Sequence, residues 1–201
     1  SMNSANKLPL VKESLKMLTK SLRQEDKVSI VVYAGAAGLV LPATSDPATI
    51  IGALDKLSSG GSTAGGAGIE LAYKTAEDNF IDDGNNRIIL ATDGDFNVGI
   101  SDQNALVKLI EQKRESRIYL TVLGFGTGNY QEGTMQLLAD KGNGNHGYID
   151  SKAEARMVLV EVFGSTLYTV AKDVMLPIEF NEKAIASYLL IVLEHRLLNP
   201  E

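Results

Sequence analysis

The chain contains no cysteine, only two histidines and no apolar run long enough to cross a bilayer. Each absence removes a class of function. Without thiols there is no disulfide framework, no thiolate zinc site and no cysteine nucleophile, although the redox compartment stays open. His146 and His195 lie far apart, with no Ser or Cys motif beside either, so solvated or structural roles are expected rather than a catalytic triad. Basic clusters are also missing. A net charge of -6 and a pI near 5.0 argue against a nucleic-acid surface, and Lys12, Lys16, Lys20 and Arg23 read as the solvated face of one helix. The loop Gly60-Gly61-Ser62-Thr63-Ala64-Gly65-Gly66 lacks the Gly-Lys-Ser/Thr ending through which a Walker loop reaches phosphates, so no nucleotide site is expected there. Asp82-Asp83-Gly84-Asn85 lacks the spacing of an EF-hand and reads as a turn. No signal peptide is visible, and the opening Ser1-Met2-Asn3 is compatible with an upstream segment cut away or with an expression scar.

What is present is an ordinary globular composition, 44% hydrophobic and 22% charged over 201 residues, enough for one domain with a sizeable core and an appendage. Leu8, Val11, Leu15, Leu18 and Leu22 recur at helical spacing, with Pro9 in the first turn. Lys27 to Tyr33 and Leu39 to Leu41 read as a hairpin, followed by a helix capped by Asp46 and opened by Pro47. Ser58 to Gly68 reads as a loop leading into a helix with Ile69, Ala72, Tyr73, Ala76 and Phe80 inward. Further strands are expected at Ile88 to Ala91, Ile118 to Phe125 and Gly147 to Ile149, each followed by a helix, the last opened by a capping box at Ser151. Strands alternating with helices predict an α/β fold, a doubly wound and mostly parallel sheet flanked by helices. From Asp173 the rhythm changes to two strands, or to a strand and a helix from Glu182 to Leu198, giving a C-terminal β extension.

Arg87 to Gly99 is the stretch around which the rest is organised. Four apolar residues between polar ones form a strand buried on both faces, and it runs into the acidic, glycine-bearing turn at Thr92-Asp93-Gly94. Ligands of open α/β sheets gather at the carboxyl ends of such strands, and Asp93 offers a hard oxygen there for a divalent cation. The bland reading is a tight Asp-Gly turn. Ser62-Thr63 and Asp93 to Asn97 come to the same sheet edge, so a hydroxyl and a carboxylate converge from separate loops.

The segments Gly61 to Ile69 and Ile88 to Gly94 resemble the second and third parts of the metal-ion-dependent adhesion site of von Willebrand factor A domains. Thr63 precedes the Gly68-Ile69 pair by five residues, and Asp93 lies in the Thr-Asp-Gly that follows a buried strand. The first part, an Asp-x-Ser-x-Ser sequence often followed by Met, is represented only by Ser1-Met2, and Ser1 is either its last serine or a cloning remnant. The resemblance covers residues 1–170, with 171–201 as the start of a β-rich C-terminal domain found in a bacterial subgroup to which Asp95-Phe96-Asn97-Val98-Gly99 also points.

The resemblance implies a non-enzymatic protein-interaction module in which Ser1, Thr63 and Asp93 ligate Mg2+ or Mn2+ and a partner's Asp or Glu completes the shell. Asp95 is expected to cap the turn or to stand behind the direct ligands without touching the ion. With donors missing, the ion is expected to be absent or weakly bound in this fragment. A cell-envelope or extracytoplasmic location goes with the family. The rival is a divalent-cation-dependent hydrolase on the same scaffold, which the lack of a nearby acid/base pair disfavours. In the family order a central strand is expected between Lys27–Tyr33 and Arg87–Thr92. Tyr188 to Leu193 is the segment expected to fill that place, in its own chain or exchanged within a homodimer, and direct closure of the flanking strands is the main rival.

Overall fold

The computed structural model describes residues 2, 4, 6–33, 37–61, 65–93, 103–126 and 132–162. All of them lie in the first of two compact units, Ser1–Thr169. The expectations for Ser1, Thr63, Asp95, the two C-terminal segments and the filling strand Tyr188 to Leu193 fall outside the described residues.

Helix α1 (Leu8–Thr19) buries Leu10, Val11, Ser14 and Leu18 and carries Pro9 in its first turn. It stops short of Leu22, where Ser21 N–H closes a tighter turn onto the Leu18 carbonyl. Its lysine face is not simply solvated: Lys16 Nζ reaches the Asp55 carboxylate at 2.6 Å, and Lys12 Nζ donates to the Asp55 carbonyl. Strands β1 (Val28–Val32) and β2 (Gly38–Thr44) pair antiparallel as the expected hairpin, with two register irregularities around Ile30. β2 runs longer than expected, through Pro42, which an edge strand tolerates because its outer N–H positions need no ladder partner. Helix α2 (Pro47–Lys56) has the expected cap, Asp46 accepting from Thr49 N–H at 2.9 Å.

Helix α3 (Gly65–Asp78) begins inside the stretch expected to be loop as far as Gly68. Strand β3 (Arg87–Thr92), helix α4 (Gln103–Arg114), strand β4 (Tyr119–Phe125), helix α5 (Glu132–Lys141) and strand β5 (His146–Ile149) follow in strict alternation. Helix α6 (Lys152–Arg156) is capped by Ser151, whose Oγ accepts from Glu154 N–H at 3.2 Å, and continues as a π-helical stretch Met157–Val162.

β3, β4 and β5 form a parallel three-stranded sheet in that order. Its strands are covered on both faces, as their unbroken apolar runs require. Ile88 and Leu90 of β3 and Leu120 and Val122 of β4 pack with Ile69, Tyr73, Ile110, Met135 and Leu138 from α3, α4 and α5. Ile89, Ala91, Leu123 and Phe125 face the other way, onto Leu10 and Val11 of α1, Ala155 of α6 and Leu159. This is the predicted doubly wound α/β architecture. The hairpin forms a separate two-stranded sheet, packed with α2 around Leu41, Ile50 and Leu54. Among the described residues β1 and β3 do not pair, so direct closure of these two strands is not what joins the halves. A side chain spans them instead: the Tyr33 hydroxyl, one residue past β1, donates to the Ala91 carbonyl of β3 at 2.7 Å.

Candidate metal centre

β3 delivers Asp93 to the carboxyl end of the parallel sheet, directly after the buried Thr92. Its side chain is only 8% exposed. A carboxylate that far out of water needs a positive partner or donors to remain charged. The partner is Lys7, whose Nζ stands 3.0 Å from Asp93 Oδ2. Lys7 occupies the N-cap position of α1, where its side chain caps nothing and the first turn carries no acidic residue. The positive end of a helix dipole is a poor place for a cation, so Lys7 is held by Asp93 rather than by its own helix.

Two further strands shape this end of the sheet. Gly126, directly after β4, has φ +90°, and a Cβ there would come within 2.8 Å of Lys7 Cγ and 2.9 Å of Cε. Only glycine combines that backbone with room for the lysine stem. The Tyr148 hydroxyl of β5 donates to the Gly126 carbonyl, fixing the turn from the far side. On the hairpin side, burial pushes the Tyr33 hydroxyl up to about 12, a hydrogen bond with Thr92 works against that shift, and the Asp93 charge adds to it. Tyr33 also packs on Gly68 in the first turn of α3, so the start of α3 is drawn to the end of β3.

Of the three residues expected to ligate a cation, Asp93 stands at the sheet edge as predicted, while Ser1 and Thr63 lie outside the described residues. Met2 packs against the cluster around Phe125 and Ile149, which anchors the chain entering α1. The sequence does not point to Lys7, Tyr33, Gly126 or Tyr148 as parts of the site. No local signal marks their roles, because the partner of each is distant in sequence. Asp93 supplies a hard anionic oxygen suited to Mg2+ or Mn2+, but an ammonium already stands on that oxygen. Among the described residues no three His, Cys, Asp or Glu side chains cluster as a ready-made metal cage. His146 begins β5 level with Val122, itself level with Leu90, so two strand spacings, roughly 10 Å, separate it from β3. No helix among the described residues is long and apolar enough to cross a membrane.

Residues 1–96 match the sequence profile of the von Willebrand factor type A domain, and residues 165–201 match that of "Uncharacterized protein YfbK, C-terminal". The chain is 48% identical over 203 residues to the uncharacterized protein YfbK of Escherichia coli K12, aligning over its whole length but spanning only 35% of that relative. The fold is similar to that of the conserved hypothetical protein BatB from Bacteroides thetaiotaomicron, with a TM-score of 0.68 and 25% identity over 83% of this chain and 93% of that one. It is also similar to proximal thread matrix protein 1 from the mussel byssus, a structure with a zinc-occupied MIDAS motif. The TM-score is 0.64 and the identity 21%, over 82% of this chain and 42% of that one. The parallel sheet, the buried aspartate at its carboxyl edge and these likenesses agree: the chain carries a domain of the von Willebrand factor type A family.

Proposed function

We propose that the chain is a metal-ion-dependent protein-interaction module of the adhesion type, with Ser1, Thr63 and Asp93 as ligands for Mg2+ or Mn2+. The observation that carries this reading is Asp93, a carboxylate 8% exposed at the end of a buried parallel strand and already paired with a positive charge. A bound divalent ion would supply an electrophilic centre, and an Asp or Glu from a partner protein would complete its shell. The zinc-occupied site of the mussel protein supports the kind of ligand, and a cell-envelope setting is proposed from the family alone. A divalent-cation-dependent hydrolase is the second reading. It is weakened by the distance between His146 and the Asp93 strand, which leaves no imidazole of the described residues beside the candidate ion.

Residues 171–201 are proposed to begin a separate β-rich domain. Tyr188 to Leu193 is proposed to pair beside β1 and β3, from its own chain or a second copy; light scattering that finds only monomers removes the exchanged form. The test of the main reading is calorimetric titration with Mn2+ and Mg2+, in the chain as given and in a longer version extended upstream of Ser1. Weak or undetectable binding is expected for the former and firm binding for the latter. In the extended chain Asp93→Ala should abolish binding and Asp95→Ala weaken it less; equal losses would overturn the ranking of the two.

A further inference from the structure

Lys7 does more than neutralise a buried carboxylate. Its ammonium meets Asp93 Oδ2 at 3.0 Å, its stem crosses Gly126 where no Cβ obstructs it, and the turn behind it is closed by Lys7 N–H on the Ser4 carbonyl and Leu8 N–H on the Met2 carbonyl. The side chain is therefore placed from both ends. A divalent ion bound directly to Asp93 sits about 2.1 Å from a carboxylate oxygen. With Nζ 3.0 Å from Oδ2, the two positive centres on that oxygen would stand within about 5 Å of each other, in a place with little water to screen them. Direct coordination and the Lys7 contact are in competition.

Resting on the reading of Asp93 as a metal ligand, we propose that Lys7 is a tethered counter-cation that holds Asp93 in the metal-free state, sets the affinity of the site, and must withdraw when a divalent ion binds. The arrangement gives Asp93 a counter-charge and holds it in position without an ion. It also makes ion uptake and the placement of Lys7 one coupled equilibrium, because whatever draws Lys7 away raises the affinity for the ion and the reverse holds equally.

The competition is read by titrating Mn2+ into the longer chain extended upstream of Ser1, for which firm binding is expected, and following free Mn2+ by electron paramagnetic resonance, for wild type, Lys7→Met, Lys7→Arg and Lys7→Met with Asp93→Asn. Methionine keeps the stem over Gly126 and removes the charge. Lys7→Met should bind Mn2+ about tenfold more tightly or better. Lys7→Arg should stay near wild type, and the double variant should lose binding. Lys7→Gln, neutral but still able to donate to Asp93, should also tighten binding and serves if Lys7→Met does not fold. Binding that depends on Asp93 yet is equal in wild type and Lys7→Met, or weaker in Lys7→Met, overturns the competition alone. Absence of binding in every variant overturns the metal reading of Asp93 along with it.

Discussion

Gly68 lies so close to Tyr33 that a Cβ on the glycine would stand 2.4 Å from the tyrosine's own Cβ. In a helix interior, alanine for glycine normally stabilises by about 1 kcal/mol. Here the sign should reverse, because the tyrosine ring is pinned by its hydroxyl on Ala91 and cannot retreat without giving up that bond. Gly68→Ala is expected to destabilise the domain by about 1–3 kcal/mol, the range for overpacked cores. Urea unfolding measures this directly, and a midpoint at or above that of wild type would show that the contact relaxes freely.

That contact also gives a physical reason for a feature visible in the sequence. Gly68-Ile69 was part of the family resemblance, and the structure shows why a glycine suits the position: the end of β1 approaches α3 there with no space for a side chain. Much of the fold was legible in the same local way. The four apolar residues of β3 announced burial on both faces, and Ile88 and Leu90 indeed pack opposite to Ile89 and Ala91. Asp46-Pro47 and Ser151 marked helix starts correctly, since caps depend only on residues three apart. Asp93 was legible as the end of a buried strand. Its countercharge was not, because Lys7 lies 86 positions away and only the packing of α1 beside β3 and β4 brings the two together. Tyr33, Gly126 and Tyr148 escaped for the same reason. The end of α1 is not legible in this way, because the hydrophobic period runs on to Leu22 while the helix ends at Thr19.

A removable defect sits in the core at Tyr73. The side chain is fully buried among Ile69, Leu90 and Leu106, its hydroxyl has no hydrogen-bond partner among the described residues, and burial holds its ionisation well above the usual tyrosine range. A buried unmatched polar group costs about 1–3 kcal/mol, whereas a matched one contributes about 0.5–1.5 kcal/mol. Tyr73→Phe keeps the ring and removes only the oxygen. It is expected to stabilise the domain by about 1 kcal/mol or more in chemical denaturation. A loss of stability would mean that the hydroxyl is satisfied in solution, by a water or by a shift of α3.

Below neutral pH His146 should erode stability, because burial lowers its pKa from the ordinary histidine value while the nearby charges of Glu132 and Asp140 only partly oppose the shift. In the unfolded chain the imidazole takes up a proton near pH 6.5. In the folded chain it does so only at lower pH. Between the two values the unfolded state binds more protons, so stability rises with pH across that window and falls as the solution is acidified through it. Above the window both states are neutral at this position and the contribution is flat. His146→Gln removes the group while retaining a polar side chain at the start of β5. Unfolding midpoints of wild type and His146→Gln, measured from pH 8 down to pH 5.5, should therefore run parallel at the upper end and separate below about pH 6.5. The wild type should lose more stability there than the variant. Parallel curves over the whole range would show that the folded imidazole protonates as readily as the unfolded one. A steeper fall in the variant would mean that Glu132 and Asp140 outweigh burial and stabilise the imidazolium.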